Sequence, residues 1–90
     1  MIVYIAGKIK GCKDYEARFR LAEEKLKKEG HIVLSPAVLP KGMPIDRYLP
    51  ICFAMIDQAD AVYVLENWMF SEGAKIEQKY AKYQGKKVMF

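Results

Sequence analysis

Glu77 stands one helical turn beyond Gly73 in the stretch SEGAKIEQKYA, residues 71–81. Ser71 is a residue type suited to capping a helix start, where the first backbone N–H groups lack intrahelical acceptors. Those groups and the helix dipole form an anion site. Gly73, Glu77 and Ala81 recur every four residues, so they share one face. A ligand can therefore approach the carboxylate over Gly73 without meeting a side chain. The dipole at a helix start favours the ionised form of a nearby acid. An ionised carboxylate in a cleft can attack an electrophilic carbon or stabilise a cationic transition state. Equally, Glu77 can be a solvated residue paired with Lys75, Lys79 or Lys82, since glutamates are mostly exposed. The elements that carry it decide between the two.

MIVYIAG opens the chain as an apolar run ending in Gly7, the pattern of a strand buried on both faces. GKIKGCKD follows as a lysine-rich loop. Asp14 is placed to cap a helix in which Tyr15, Phe19, Ala22 and Leu26 have helical spacing, and Gly30 is placed to stop it. HIVLSP is a second short strand, and AVLPKGMP a proline-rich loop. Residues 45–59 are again helical, with Pro50 expected in the first turn, where a missing N–H costs little. AVYVLEN is a third strand, residues 71–84 a third helix, and KKVMF a last strand. Ile76, Tyr80 and Tyr83 are expected to pack the third helix on the sheet.

The order β-α-β-α-β-α-β with short connections predicts a three-layer α/β sandwich, flavodoxin-like or Rossmann-like, around a short parallel sheet. The expected strand order is 2-1-3-4. Its switch point lies between the first and third strands, and open α/β sheets bind ligands at the carboxyl ends of the strands there. The loops GKIKGCKD and ENWMFSEG must meet at that point, which brings Glu77 to the expected crevice.

Ninety residues make a single domain over positions 1–90. Apolar residues are 52% of the chain, more than one small core hides, which predicts a subunit interface and a homo-oligomer. The second helix, apolar around more than half its circumference, is expected to supply part of it. MIVYIAG is too short for a signal peptide or membrane span. Cys12 and Cys52 form neither a metal spacing nor a disulfide framework, so reduced thiols in a cytoplasmic protein are expected, without a metal site. Fifteen Lys and Arg against eleven acids give a charge of +4, which suits an anionic ligand and does not demand nucleic acid. Lys75, Lys79, Lys82 and Lys86 are expected to be a solvated face rather than a nucleic-acid surface. Trp68, Met69 and Phe70 can stack on a nucleobase or form a subunit contact. Asp60 is expected to end the second helix and His31 to be structural.

YIAGKIKG, QADAVYVLEN and SEGAKIEQKYA resemble the nucleoside 2-deoxyribosyltransferase family across essentially the whole chain, and most closely a compact phage and bacterial branch. Relatives of that family include 2′-deoxynucleoside 5′-phosphate N-hydrolases. The resemblance implies cleavage or transfer at the N-glycosidic bond of a nucleoside or nucleoside 5′-monophosphate, without a cofactor. It places the nucleophile at Glu77 and the sugar pocket at Tyr4 and Gly7. Ser71 stands where the transferases carry an acid, as in the phosphate-binding hydrolases, and Lys10 where those hydrolases use a basic residue near the phosphate. One departure stands out. The family's aspartate on the second helix, which manages the proton of the leaving base, corresponds to Cys52. A thiol is mostly neutral at pH 7 and a poorer acceptor, leaving Asp46 or Asp57 to substitute or the chain to act as a non-catalytic nucleotide-binding module.

Overall fold

The apolar run at the start of the chain becomes the strand on which the rest of the sheet is built. In a computed structural model describing all residues 1–90, β1 (Ile2–Ala6) is fully buried from Val3 onward. It is flanked by β2 (Ile32–Leu34) and β3 (Ala61–Val64), and β4 (Lys87–Met89) pairs with β3. All three pairings are parallel and the order is 2-1-3-4, as the alternation of elements predicts. Asp60 fastens the start of the ladder: its carboxylate accepts from Ile2 N–H at 2.8 Å and its own N–H donates to Ile2 at 2.7 Å.

Strand side chains alternate between faces, and β1 divides the core accordingly. Val3 and Ile5 pack with Phe19, Ala22 and Leu26 of α1 (Tyr15–Lys28). Tyr4 and Ala6 point the other way. They meet Cys52 and Ile56 of α2 (Ile45–Gln58) and Ala81 of α3 (Glu72–Tyr83). Short 3-10 turns at Pro36–Val38 and Trp68–Phe70 precede α2 and α3. None of the helices is long and apolar enough to cross a membrane.

Three local expectations are corrected. Asp14 occupies the N-cap position of α1 without capping it; its carboxylate instead binds Arg18 Nε at 3.0 Å and accepts from Cys12 Sγ at 3.2 Å. Pro50 lies in the second turn of α2, not the first, because the helix starts directly after Pro44. Its missing N–H frees the carbonyl of Asp46, an exposed residue whose carbonyl water can satisfy. On α3, Ile76 and Tyr83 are exposed, and the buried face is Ala74, Glu77, Gln78 and Ala81. The small side chains of Ala74 and Ala81 let the helix approach the sheet closely, and this rotation turns Glu77 inward. Tyr80 alone of the expected trio packs inward, stacking on Phe53 with ring centroids 4.2 Å apart.

Gly7 marks where β1 leaves the sheet. A Cβ there would meet Leu65 Cδ1 at 2.7 Å and Leu65 Cβ and Cγ at 3.0 Å. Only glycine lets the two loop roots lie this close. Gly7→Ala is expected to destabilise the fold by about 1–3 kcal/mol through overpacking, seen as a lower Tm in thermal denaturation.

Candidate active site

The loops after β1 and β3 meet as the strand order requires. Leu65 N–H donates to the Ala6 carbonyl at 2.8 Å, prolonging the pairing beyond the strands. Asn67 then ties the loops together: its Oδ1 accepts from Lys8 N–H at 3.3 Å and its Nδ2 approaches Cys12 Sγ at 3.8 Å. Beside them opens a cleft of about 1130 Å³. Its walls are the β1–α1 loop, the segment from Leu39 to Ile45, and the first turn of α3, with Glu77 and Tyr48 also on its lining.

Glu77 is only 3% exposed, so it is not the solvated partner of a surface lysine. Its Oε1 accepts from Tyr4 Oη at 2.9 Å. Its Oε2 lies 3.9 Å from the point a Cβ on Gly73 would occupy. The other nearest atoms to that point, Ser71 Oγ and Ile45 Cδ1, are 3.8 and 3.9 Å away. Glycine at position 73 thus relieves neither a clash nor a left-handed backbone, and it lowers helix stability. What its missing side chain provides is room for a methyl-sized group between Ser71 Oγ, Ile45 Cδ1 and Glu77 Oε2. Ser71 caps α3 by accepting from Ala74 N–H at 3.1 Å, which leaves the earlier N–H groups of the turn without intrahelical partners.

The cleft brings together Glu77, Gly7, Lys10, Ser71 and Gly73. Tyr4 is absent from its lining: the side chain is wholly buried and donates its hydroxyl to Glu77 Oε1. Neither Asp46 nor Asp57 lines the cleft. Asp57 instead holds Tyr80 Oη at 2.6 Å on the exposed side of the α2–α3 contact. Trp68 packs against the core and tilts towards Phe90, so the aromatic ring that the 3-10 turn presents to the cleft is Phe70. Tyr48 on α2, a residue not singled out from the sequence, lines the cleft one turn before Cys52. That i, i+4 spacing was its available signal.

A family model described as "Domain of unknown function (DUF4406)" matches residues 1–90. The chain belongs to this family. No curated protein matches it. Among solved structures, a 2-desoxiribosyltransferase from Leishmania mexicana is similar at a TM-score of 0.75 and 21% identity. The likeness covers 97% of this chain and 61% of that one. This DUF4406 chain therefore has a deoxyribosyltransferase-like fold and spans about 61% of the length of that protein.

Burial governs the charge of this DUF4406 site. It pushes the Glu77 carboxyl from 4.5 up to about 7, while hydrogen bonds from Tyr4 and Cys52 pull it down. A permanently ionised Glu77 held by the helix dipole is thus not what the fold provides. The helix begins at Glu72, so Glu77 lies past the first turn, where the dipole's influence has faded. Burial also pushes the Cys52 thiol up to about 11, with the charge of Glu77 adding to the effect, so Cys52 remains a neutral S–H. Tyr4 is raised well above its ordinary value, first by burial and then by Glu77, and stays a donor.

Between about pH 4.5 and 7 the folded chain keeps a proton on Glu77 that the unfolded chain releases. The stability this proton confers is complete below pH 4.5 and is lost as the pH rises through about 7. The effect is on the order of 3 kcal/mol. Glu77→Gln cannot titrate, so the variant is expected to gain stability relative to the wild type as the pH rises from about 4.5 to about 8. Paired thermal melts across that range check this; parallel pH profiles would contradict it.

Proposed function

We propose that this chain cleaves the N-glycosidic bond of a nucleoside or nucleoside 5′-monophosphate with Glu77 as nucleophile. The observation that carries the reading is the division of labour between the two Glu77 oxygens: Tyr4 holds Oε1, while Oε2 lies 3.9 Å from the Cβ position that Gly73 leaves empty on the cleft lining. In the deprotonated enzyme, Oε2 attacks C1′. The C1′–N bond breaks, its electron pair leaves with the base, and the base takes a proton from solvent in the cleft. A glycosyl ester of Glu77 results. Water then attacks C1′, loses a proton and restores the carboxylate, giving hydrolysis. A second base attacking instead gives transfer. Gly7 borders the sugar, while Lys10, Ser71 and the first-turn amides of α3 hold the 5′-phosphate.

Cys52 favours a second reading, a nucleotide-binding module without turnover. It is wholly buried and neutral where the resemblance implies an aspartate, so it cannot manage the leaving base as a carboxylate would. Either function is compatible with a homodimer. We assign its contact to the apolar residues left exposed on α2 and α3 outside the cleft, Ile51 of α2 with Ile76 and Tyr83 of α3.

Chromatography for free base after incubation with a panel of nucleosides and 5′-monophosphates separates the two functions. The wild type is expected to release base, and Glu77→Gln to lose roughly 10³-fold or more, mainly in kcat, with its fold intact. Turnover surviving in Glu77→Gln would remove the nucleophile assignment. Ligand-induced thermal stabilisation without base release would favour the binding module. Light scattering at micromolar concentration should report at least twice the chain mass; a monomer throughout would remove the interface.

A further inference from the structure

The cleft carries more positive charge, and more room, than one phosphate accounts for. Lys8, Lys10 and Lys13 all line it from the single loop between β1 and α1. None of the three makes an ion pair, although the acids along the cleft are engaged. Glu16 is held by Lys41 at 3.2 Å, Glu72 by Lys75 at 3.7 Å, and Glu77 lies buried against Tyr4. Lys41, on the Leu39–Ile45 wall, is paired with Glu16 at the surface and also sits 5.9 Å from the Tyr15 ring centroid. Lys8 is half-buried, and Lys10 and Lys13 are exposed.

A solvated charge run would behave differently. Lys79 and Lys82 of α3 are exposed and stand outside the cleft, as such runs do. With one phosphate assigned to Lys10 and the start of α3, Lys8 and Lys13 remain without a partner. The volume points the same way, since about 1130 Å³ exceeds the roughly 300–1,000 Å³ typical of small-molecule pockets.

We propose that the ligand of this cleft is a pyrophosphate-bearing nucleotide, its second phosphate held by Lys8 and Lys13. The proposal rests on the reading of the cleft as a nucleotide site. A nucleoside 5′-diphosphate and a dinucleotide joined through pyrophosphate share this chemistry.

Calorimetry on the full chain at fixed low ionic strength, with inorganic phosphate and inorganic pyrophosphate as probes, tests the charge pattern without knowledge of the base. Pyrophosphate is expected to bind roughly tenfold or more tightly than phosphate, the effect of one further charge-assisted contact. The Lys8→Ala, Lys13→Ala double variant should lose that advantage and keep its affinity for phosphate, whereas Lys10→Ala should weaken both anions. Should the double variant fail to fold, Lys13→Ala, altering an exposed residue, is expected to lose a measurable part of the advantage. Equal affinity for the two anions, or an advantage that survives removal of the lysines, overturns the proposal. A second series compares a nucleoside monophosphate, its diphosphate and a dinucleotide of the same base. Tighter binding of either pyrophosphate compound supports the proposal and identifies the source; tighter binding of neither overturns it. Because base release is measured separately, a pyrophosphate preference without turnover would remove the glycosidase reading and leave this one standing.

Discussion

A carboxyl group withdrawn from water on the floor of a cleft imposes its terms on this fold. Glu77 is 3% exposed, and its Oε1 accepts a hydrogen bond from Tyr4 Oη at 2.9 Å. Removing a carboxylate from water is costly, and in proteins the cost is commonly met by retaining the proton. Here the balance between burial and the hydrogen bonds of Tyr4 and Cys52 holds the group at about 7. That balance sets stability and chemistry against each other. The protonated form favours the fold, whereas the proposed nucleophilic attack requires the ionised form, so rising pH would move the two in opposite directions. A carboxyl group perturbed by burial at the edge of a cleft marks a candidate functional site.

The scaffold serves that group through sheet parity and small residues. Because β1 side chains alternate, Tyr4 faces α2 and α3 while Val3 and Ile5 face α1. A one-residue slip of β1 would turn the Tyr4 hydroxyl away from Glu77. Ala74 and Ala81 bring α3 down onto the sheet, Gly7 allows the two loop roots to touch at Leu65, and Gly73 leaves methyl-sized room beside Oε2. None of these residues carries chemistry. Their small volume decides where the carboxylate ends up.

The layout of the molecule was legible in the sequence because apolar runs and helical spacings are local signals. The strand order, the meeting of the two loops, the Ser71 cap and the left-handed Gly30 at φ +89 all follow from such signals. The orientation of α3 was not legible. Hydropathy favours burying Ile76 and Tyr83, but close helix–sheet packing selects the alanines and takes the intervening Glu77 and Gln78 inward. Tyr4 was singled out, yet its partner sits 73 residues away in sequence, so its part as the holder of Glu77 depended on tertiary geometry. For Asp14, the choice between capping a helix and pairing with Arg18 rests on backbone angles that composition does not reveal. The proline-rich loop signalled irregular chain but not that it would wall the cleft.

The central claim is that Glu77 is a buried carboxyl group poised near neutrality. It is tested most directly by nuclear magnetic resonance titration of the side-chain carboxyl carbons in glutamate-labelled protein, with Glu77→Gln assigning the signal. A midpoint at about 7 is expected for Glu77. A midpoint in the ordinary range near 4.5 would show a solvated carboxylate and contradict that claim.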